Sequence, residues 1–180
     1  MKRLTLVLGG ARSGKSRHAE GLGAAYAGKR AYIATAEAID AEMHERIARH
    51  RSGRGDGWET IEAPLDLAAA LAGAKAPFVL VDCITVWLGN LMHHNRDLAA
   101  EVTALCEVLG QVRANVVIVS NEVGLSVVPE NRMARAFRDA QGIANQRIAE
   151  IAGEVIFVAA GLPLVLKKPT TRRAPKPAAD

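Results

Sequence analysis

Cysteine is scarce: Cys83 and Cys106 are the only two in 180 residues, far apart and each in an otherwise apolar segment. Such a pair suits buried, reduced thiols rather than a disulfide framework or a cysteine-built metal site. Long hydrophobic runs are missing too. Hydrophobic residues make up 49% of the chain, yet no run approaches the ~20 residues needed to span a bilayer. Lys2 and Arg3 lead straight into the first apolar stretch, without the apolar region and small-residue cleavage site of a signal peptide. The expectation is a cytoplasmic protein with no membrane span. Charge of one sign is modest: the net charge is +4, and part of it lies in the tail from Lys167 to Lys176. No recognition motif accompanies those cations, so no nucleic-acid partner is expected.

The 180 residues suit one α/β domain with a substantial core. Residues 1–168 are read as that single domain. Residues 169–180 are rich in Pro, Lys and Ala and read as a disordered tail.

The most informative stretch is Gly9-Gly10-Ala11-Arg12-Ser13-Gly14-Lys15-Ser16, preceded by the apolar run Leu4 to Leu8 and followed by an Ala/Glu/Leu-rich segment. Strand, glycine loop and helix in that order, with the spacing G-x-x-x-x-G-K-[ST], make a phosphate-binding loop. Gly9 and Gly14 admit backbone angles that let successive N–H groups turn inward around a polyphosphate at a helix N-terminus. Lys15 supplies a point charge to the β- and γ-phosphates, and the Ser16 hydroxyl is a magnesium ligand by its position. A glycine turn with an incidental lysine is the plain alternative, and the strand-to-helix context argues against it.

Read in order, Leu4 to Leu8 is a strand buried on both faces. A helix is expected from Ser16 to about Ala27, a strand from Arg30 to Ala34, and a helix from about Ile39 to Arg51 on the stripe Ile39, Met43, Ile47. His50 falls in the last turn of that helix among Arg46, Arg49, Arg51 and Arg54. By charge alone it is a solvated basic helix end. Beside a glycine-rich loop it also suits attack on a phosphate, because neighbouring cations disfavour the imidazolium. Glu59 to Glu62 reads as a short edge segment, and Leu65 to Ala72 as a helix. The strand Pro77 to Asp82 ends in an acid, the pattern of a second nucleotide motif in which Asp82 holds magnesium opposite Ser16. Helices follow over Ile84 to Leu91 and Asp97 to Gly110, with His93 and His94 between them as surface residues. The strand Asn115 to Ser120 then delivers Asn121-Glu122-Val123-Gly124 to the edge that also holds the phosphate loop, Thr35 and Asp82. A long helix from Pro129 or Glu130 to Ala152 carries a polar stripe (Asn131, Arg135, Arg138, Gly142, Asn145) and a buried one (Phe137, Ala144, Ile148, Ile151). Glu154 to Val158 and Leu164 to Leu166 close the domain as strands. The fold class is α/β: a P-loop NTPase-type three-layer fold, a mainly parallel sheet flanked by helices.

The blocks together resemble the adenosylcobinamide kinase / adenosylcobinamide-phosphate guanylyltransferase family of cobalamin biosynthesis. The resemblance is carried by residues 9–17, Tyr32-Ile33-Ala34-Thr35, Arg46-Ile47 with His50, Trp58 through Glu62, and Val81 through Thr85. Most specific is Ser120 through Gly124 continuing to Val128-Pro129-Glu130-Asn131, Arg135, Phe137-Arg138-Asp139 and Asn145-Gln146. It implies a bifunctional enzyme. ATP or GTP phosphorylates the aminopropanol hydroxyl of adenosylcobinamide; GTP then donates GMP to that phosphate, giving adenosylcobinamide-GDP and pyrophosphate. By the same resemblance His50 is the histidine that becomes guanylylated, and Lys15 and Ser16 hold triphosphate and magnesium. Ala34, Thr35, Ala36, Arg54, Gly55, Asp56 and Gly57 would lie near the nucleotide, and Glu62 and Asp82 would be further nucleotide or magnesium contacts. The family assembles as a homotrimer. A corrinoid site on the stripe from Asn131 to Asn145 is a separate conjecture from the residues. The competing reading is a single-function P-loop kinase, which would leave His50 without a task. A nucleotide-switched binding module is disfavoured, because no N-K-x-D motif is apparent.

Overall fold

A computed structural model describes residues 4–37 and 57–168. The expected helix over 39–51 with His50, the loop residues Arg54, Gly55 and Asp56, and the tail 169–180 lie outside the described residues. The chain builds a seven-stranded sheet in the order β3-β2-β4-β5-β1-β6-β7. Its strands are β1 (Leu4–Gly9), β2 (Arg30–Ala34), β3 (Trp58–Glu62), β4 (Phe78–Asp82), β5 (Asn115–Asn121), β6 (Glu154–Ala159) and β7 (Leu162–Lys167). All neighbours run parallel except the β6/β7 hairpin. Central strands are near-continuous apolar runs because helices cover both faces of a parallel sheet. The apolar β7, in contrast, is an exposed edge, with Leu162, Leu164, Val165 and Leu166 all largely in solvent.

The described helices are α1 (Lys15–Ala24), α2 (Leu67–Gly73), α3 (Ile84–His93), α4 (Leu98–Gln111) and α5 (Arg132–Ile151). Alternating strand residues feed two cores. Leu6, Ile33, Val79, Val81 and Ile118 pack against α2 to α5 through Leu67, Trp87, Leu105 and Ile148. Val7, Tyr32, Leu80, Val119 and Val158 pack on the other face with Ala19 of α1.

Two helix boundaries and one buried position differ from the sequence reading in ways that bear on packing. Helix α1 ends at Ala24, not Ala27, because the Ala25 and Tyr26 amides turn back onto Gly21 O and Gly23 O. That turn brings the Tyr26 ring within 5.3 Å of Phe78. Helix α5 starts at Arg132, because Asn131 adopts an extended backbone and caps it, accepting from the Met133 N–H at 2.7 Å. Ile151 is 42% exposed rather than buried, and Ala152 takes the core position as the chain turns into β6.

The polar stripe of α5 is consequently not one surface. Asn131 is a cap, Asn145 points into the protein, and Arg135 donates to the Pro129 carbonyl at 2.9 Å while Arg138 pairs with Asp139. The two cysteines are free thiols and His93 and His94 are exposed, as the sequence suggested, but only Cys83 is buried and Cys106 is half-buried.

Candidate active site

Strands β1, β2, β4 and β5 end on one edge of the sheet, at Gly9, Ala34, Asp82 and Asn121. In doubly wound sheets this carboxyl edge receives ligands. Side chains alternate along a strand, so Asp82 shares the side of Leu80 and Asn121 that of Val119, the side on which α1 packs. Gly9 lies in register with Asn121, and Asp82 with Val119. Strand β5 therefore separates the loop-bearing β1 from β4, and Asn121 ends between the phosphate loop and Asp82.

The loop itself is closely built. Gly14 caps α1 in the left-handed region with φ 95°, and Arg12 is also left-handed at φ 54°. A Cβ on Gly9 would come within 2.5 Å of both Ser13 Oγ and the Val158 carbonyl, so this position must stay small. The Ser13 N–H donates to Gly10 O at 3.3 Å, while Ser13 O accepts from the Gly161 N–H at 2.8 Å. The β6/β7 turn thus props the loop from behind. Lys15 Nζ donates to Gly10 O at 3.2 Å, folding the ammonium over the loop it opens. Lys15 and Ser16 begin α1, whose first N–H groups have no partners within the helix and favour an anion.

Asp82 accepts a hydrogen bond on Oδ2 from the Tyr32 hydroxyl at 3.1 Å. The next residue, Cys83, has its thiol pushed up to about 11 by burial and then by the Asp82 charge, with Lys15 pulling weakly the other way. Thr35 is fully buried, and its hydroxyl both donates to Cys83 O (2.9 Å) and accepts from the Cys83 N–H (2.8 Å). Asn90 of α3 donates to Thr35 O at 2.7 Å. Thr35 is thus the clamp that holds the end of β4, its hydroxyl proton committed to the Cys83 carbonyl. Ala34 O accepts from the Ala63 N–H, and Glu62 ends the outermost strand β3 in register with Ala34.

Gly57 is not brought to this edge. It precedes β3 at the opposite, amino edge, where it is left-handed (φ 89°) and abuts Arg30, because a parallel β3 must start there to run alongside β2. A cavity of about 300 Å³ lined by Thr5, Tyr26, Phe78, Asn115 and Glu154 also opens on that far edge, and no phosphate-loop residue reaches it.

Among the described residues no group of three or more His, Cys, Asp or Glu side chains could hold a metal ion. A carboxylate and a hydroxyl, Asp82 and Ser16, are nevertheless the hard oxygen donors that suit magnesium, which takes one or two protein ligands and completes its shell with phosphates and water. Sequence reasoning missed the Tyr32 contact and the Gly161 prop, and it brought Asn121 to the edge without a role. The signal for Tyr32 was strand alternation, usable only once β2 and β4 are known to be neighbours. No helix among the described residues is long and apolar enough to cross a membrane.

Comparison with known proteins agrees with this construction. The family model described as cobinamide kinase / cobinamide phosphate guanyltransferase matches residues 5–166. The bifunctional adenosylcobalamin biosynthesis protein CobP of Pseudomonas aeruginosa is 49% identical over 166 residues, covering 90% of this chain and 96% of that protein. The protein CobU of Salmonella typhimurium, of the same description, is 41% identical over 181 residues, covering 91% and 99%. Among solved structures, a KaiC-like protein of Pyrococcus horikoshii superimposes with a TM-score of 0.54 at 13% identity, covering 97% of this chain and 83% of that one. The RadB recombinase gives 0.51 at 19% identity, covering 86% and 73%. These two likenesses concern the fold alone.

Proposed function

The chain belongs to the cobinamide kinase / cobinamide phosphate guanyltransferase family of cobalamin biosynthesis, and from that premise we propose how its residues divide two reactions. Residues 1–168 act as one catalytic domain. In the first reaction ATP or GTP lies with its phosphates on the loop Gly9 to Ser16, and Lys15 neutralises the β- and γ-phosphates. The aminopropanol hydroxyl of adenosylcobinamide attacks the γ-phosphorus, and the nucleoside diphosphate leaves with the bond pair. Magnesium, held by Ser16 and Asp82, supplies charge neutralisation to the phosphates when bound. The Tyr32 hydroxyl keeps Asp82 oriented toward that position, and Thr35 keeps the end of β4 in place.

In the second reaction a neutral His50 nitrogen attacks the α-phosphorus of GTP and releases pyrophosphate. The phosphate oxygen of adenosylcobinamide phosphate then attacks the same phosphorus, frees the histidine and yields adenosylcobinamide-GDP. Splitting one displacement in two lets each proceed in line through a labile phosphoramidate. Arg54, Gly55 and Asp56, outside the described residues, and Glu62 are assigned to nucleotide contacts with Ala34 and Ala36.

The observation that carries the proposal is the convergence of the phosphate loop and Asp82 on one face of one sheet edge. Assembly as a homotrimer is proposed with it; the exposed apolar edge strand β7 supports self-association. Incubation with magnesium and α-labelled GTP, followed by denaturation, tests the histidine. Label on the wild type and none on His50→Ala supports the covalent route. Absence of label in protein that binds GTP removes it. Sedimentation at one chain mass would remove the trimer.

A further inference from the structure

Asn121 carries a feature that the loop and Asp82 do not account for. Its carboxamide oxygen is buried and has no hydrogen-bond partner. Burying an amide acceptor unpaired costs folding free energy, so it calls for a partner or a function. The backbone of the same residue is fully committed. Its N–H donates to Thr85 Oγ1 of α3 at 2.9 Å, and its carbonyl accepts from Asn145 Nδ2 of α5 at 3.0 Å. Asn145 is itself held: Ser120 Oγ donates to Asn145 Oδ1 at 2.6 Å, and Gln141 Nε2 donates to both Ser120 Oγ (2.8 Å) and Asn145 Oδ1 (3.1 Å). Ser120 and Gln141 are completely buried. Side chains of two helices thus fix the backbone of the last residue of β5, and strand alternation places its side chain on the α1 side of the sheet, between the phosphate-loop strand and the Asp82 strand.

We propose that Asn121 is a catalytic residue of the phosphoryl-transfer step, its carboxamide oxygen accepting a hydrogen bond from the hydroxyl that attacks the γ-phosphate, and that Asn145 is its positioning residue. The inference rests on the kinase reading above. Nucleotide phosphates at neutral pH offer acceptors only, so they leave this oxygen unsatisfied. Lys15 is drawn to the phosphates by charge, and the attacking hydroxyl brings a donor of the kind this oxygen lacks. Its proton held by Asn121, the hydroxyl oxygen points a lone pair at phosphorus. The new O–P bond forms as the bridging P–O bond breaks, the nucleoside diphosphate departs with the electron pair, and the hydroxyl proton passes to a transferred phosphate oxygen and then to water. An amide is too weak a base to keep that proton, so its contribution is alignment.

The test compares wild type and Asn121→Ala with a corrinoid alcohol acceptor. Measured are kcat and KM for phosphorylation, nucleotide affinity, and the thermal midpoint without nucleotide. The expected result is a loss in kcat of about 100-fold, typical of removing one aligned polar group, with nucleotide affinity retained. The thermal midpoint is expected to stay level or rise, because the substitution removes an unpaired buried acceptor. A purely structural asparagine would instead lower the midpoint and leave kcat per folded molecule intact, and that result overturns the inference. Equal kcat for the two proteins also overturns it and leaves the kinase reading standing. A wild type that transfers no phosphate overturns both readings at once, separating their failures.

Discussion

The two faces of the sheet are built to different standards. Behind it, four helices bury an apolar core that includes Trp87, Leu88, Leu91 and Leu105, all with no exposed surface. In front, α1 is the one described helix over a smaller core, rimmed by Tyr32, Asp82, Asn121 and the phosphate loop. The back face supplies stability. The front face supplies polar groups held at an edge, at some cost in unpaired atoms such as Ser13 Oγ and Asn121 Oδ1. The difference teaches that the chemistry is positioned from behind: Thr85, Asn145 and Asn90 reach from back-face helices through to the ends of β2 and β5.

This division can be broken in four places. The largest expected effect is Trp87→Ala, which empties a fully buried indole and frees the Leu65 carbonyl that its Nε1 reaches at 2.7 Å. Denaturant unfolding should show a loss of about 3–5 kcal/mol, with nucleotide affinity of the folded fraction unchanged. Lys15→Ala should do the reverse, cutting both transfer rates by about 100- to 1,000-fold while the unfolding midpoint hardly moves. A stability loss at Lys15 comparable to that at Trp87 would end the distinction.

A third effect concerns alkaline pH. Cys83 belongs to the front-face core, and its folded thiol is raised from 9.0 to about 11. Below pH 9 both folded and unfolded chains keep the proton. Between pH 9 and 11 the unfolded chain releases it and the folded chain does not, so stability should fall with rising pH by about 2–3 kcal/mol and then level off. Unfolding of Cys83→Ala across that window should lack this component; an identical slope in both proteins would assign it elsewhere. The smallest effect is Tyr32→Phe, which removes the donor to Asp82 but keeps the ring. Stability should drop by about 1 kcal/mol, while the magnesium dependence of phosphoryl transfer shifts to higher concentration; an unchanged magnesium dependence would make Tyr32 a core residue only.

Much of this was legible beforehand. The glycine spacing with its flanking strand and helix, the buried strands that deliver Asp82 and Asn121 to one edge, and the exposed His93 and His94 all follow from local pattern. What was not legible has a common cause. Asn131, Arg135 and Asn145 share helical spacing, yet one caps the helix, one binds turn carbonyls and one is buried against Ser120. Spacing reports which residues share a face, and only the neighbouring elements decide what that face meets. Gly57 was assigned to the nucleotide by likeness of sequence, but the direction of a parallel β3 puts it a strand's length from Glu62.

By itself, then, the amino-acid sequence determined the phosphate loop, the parallel α/β architecture and the set of edge residues available for chemistry, because glycine conformations, apolar runs and helix signals are local properties. Tertiary structure alone decided the strand order that inserts β5 between the loop strand and the Asp82 strand. It also decided the pairing of Tyr32 with Asp82 and the side-chain clamps on Asn121. Those contacts join residues up to 50 positions apart, and no local propensity specifies which strand lies beside which.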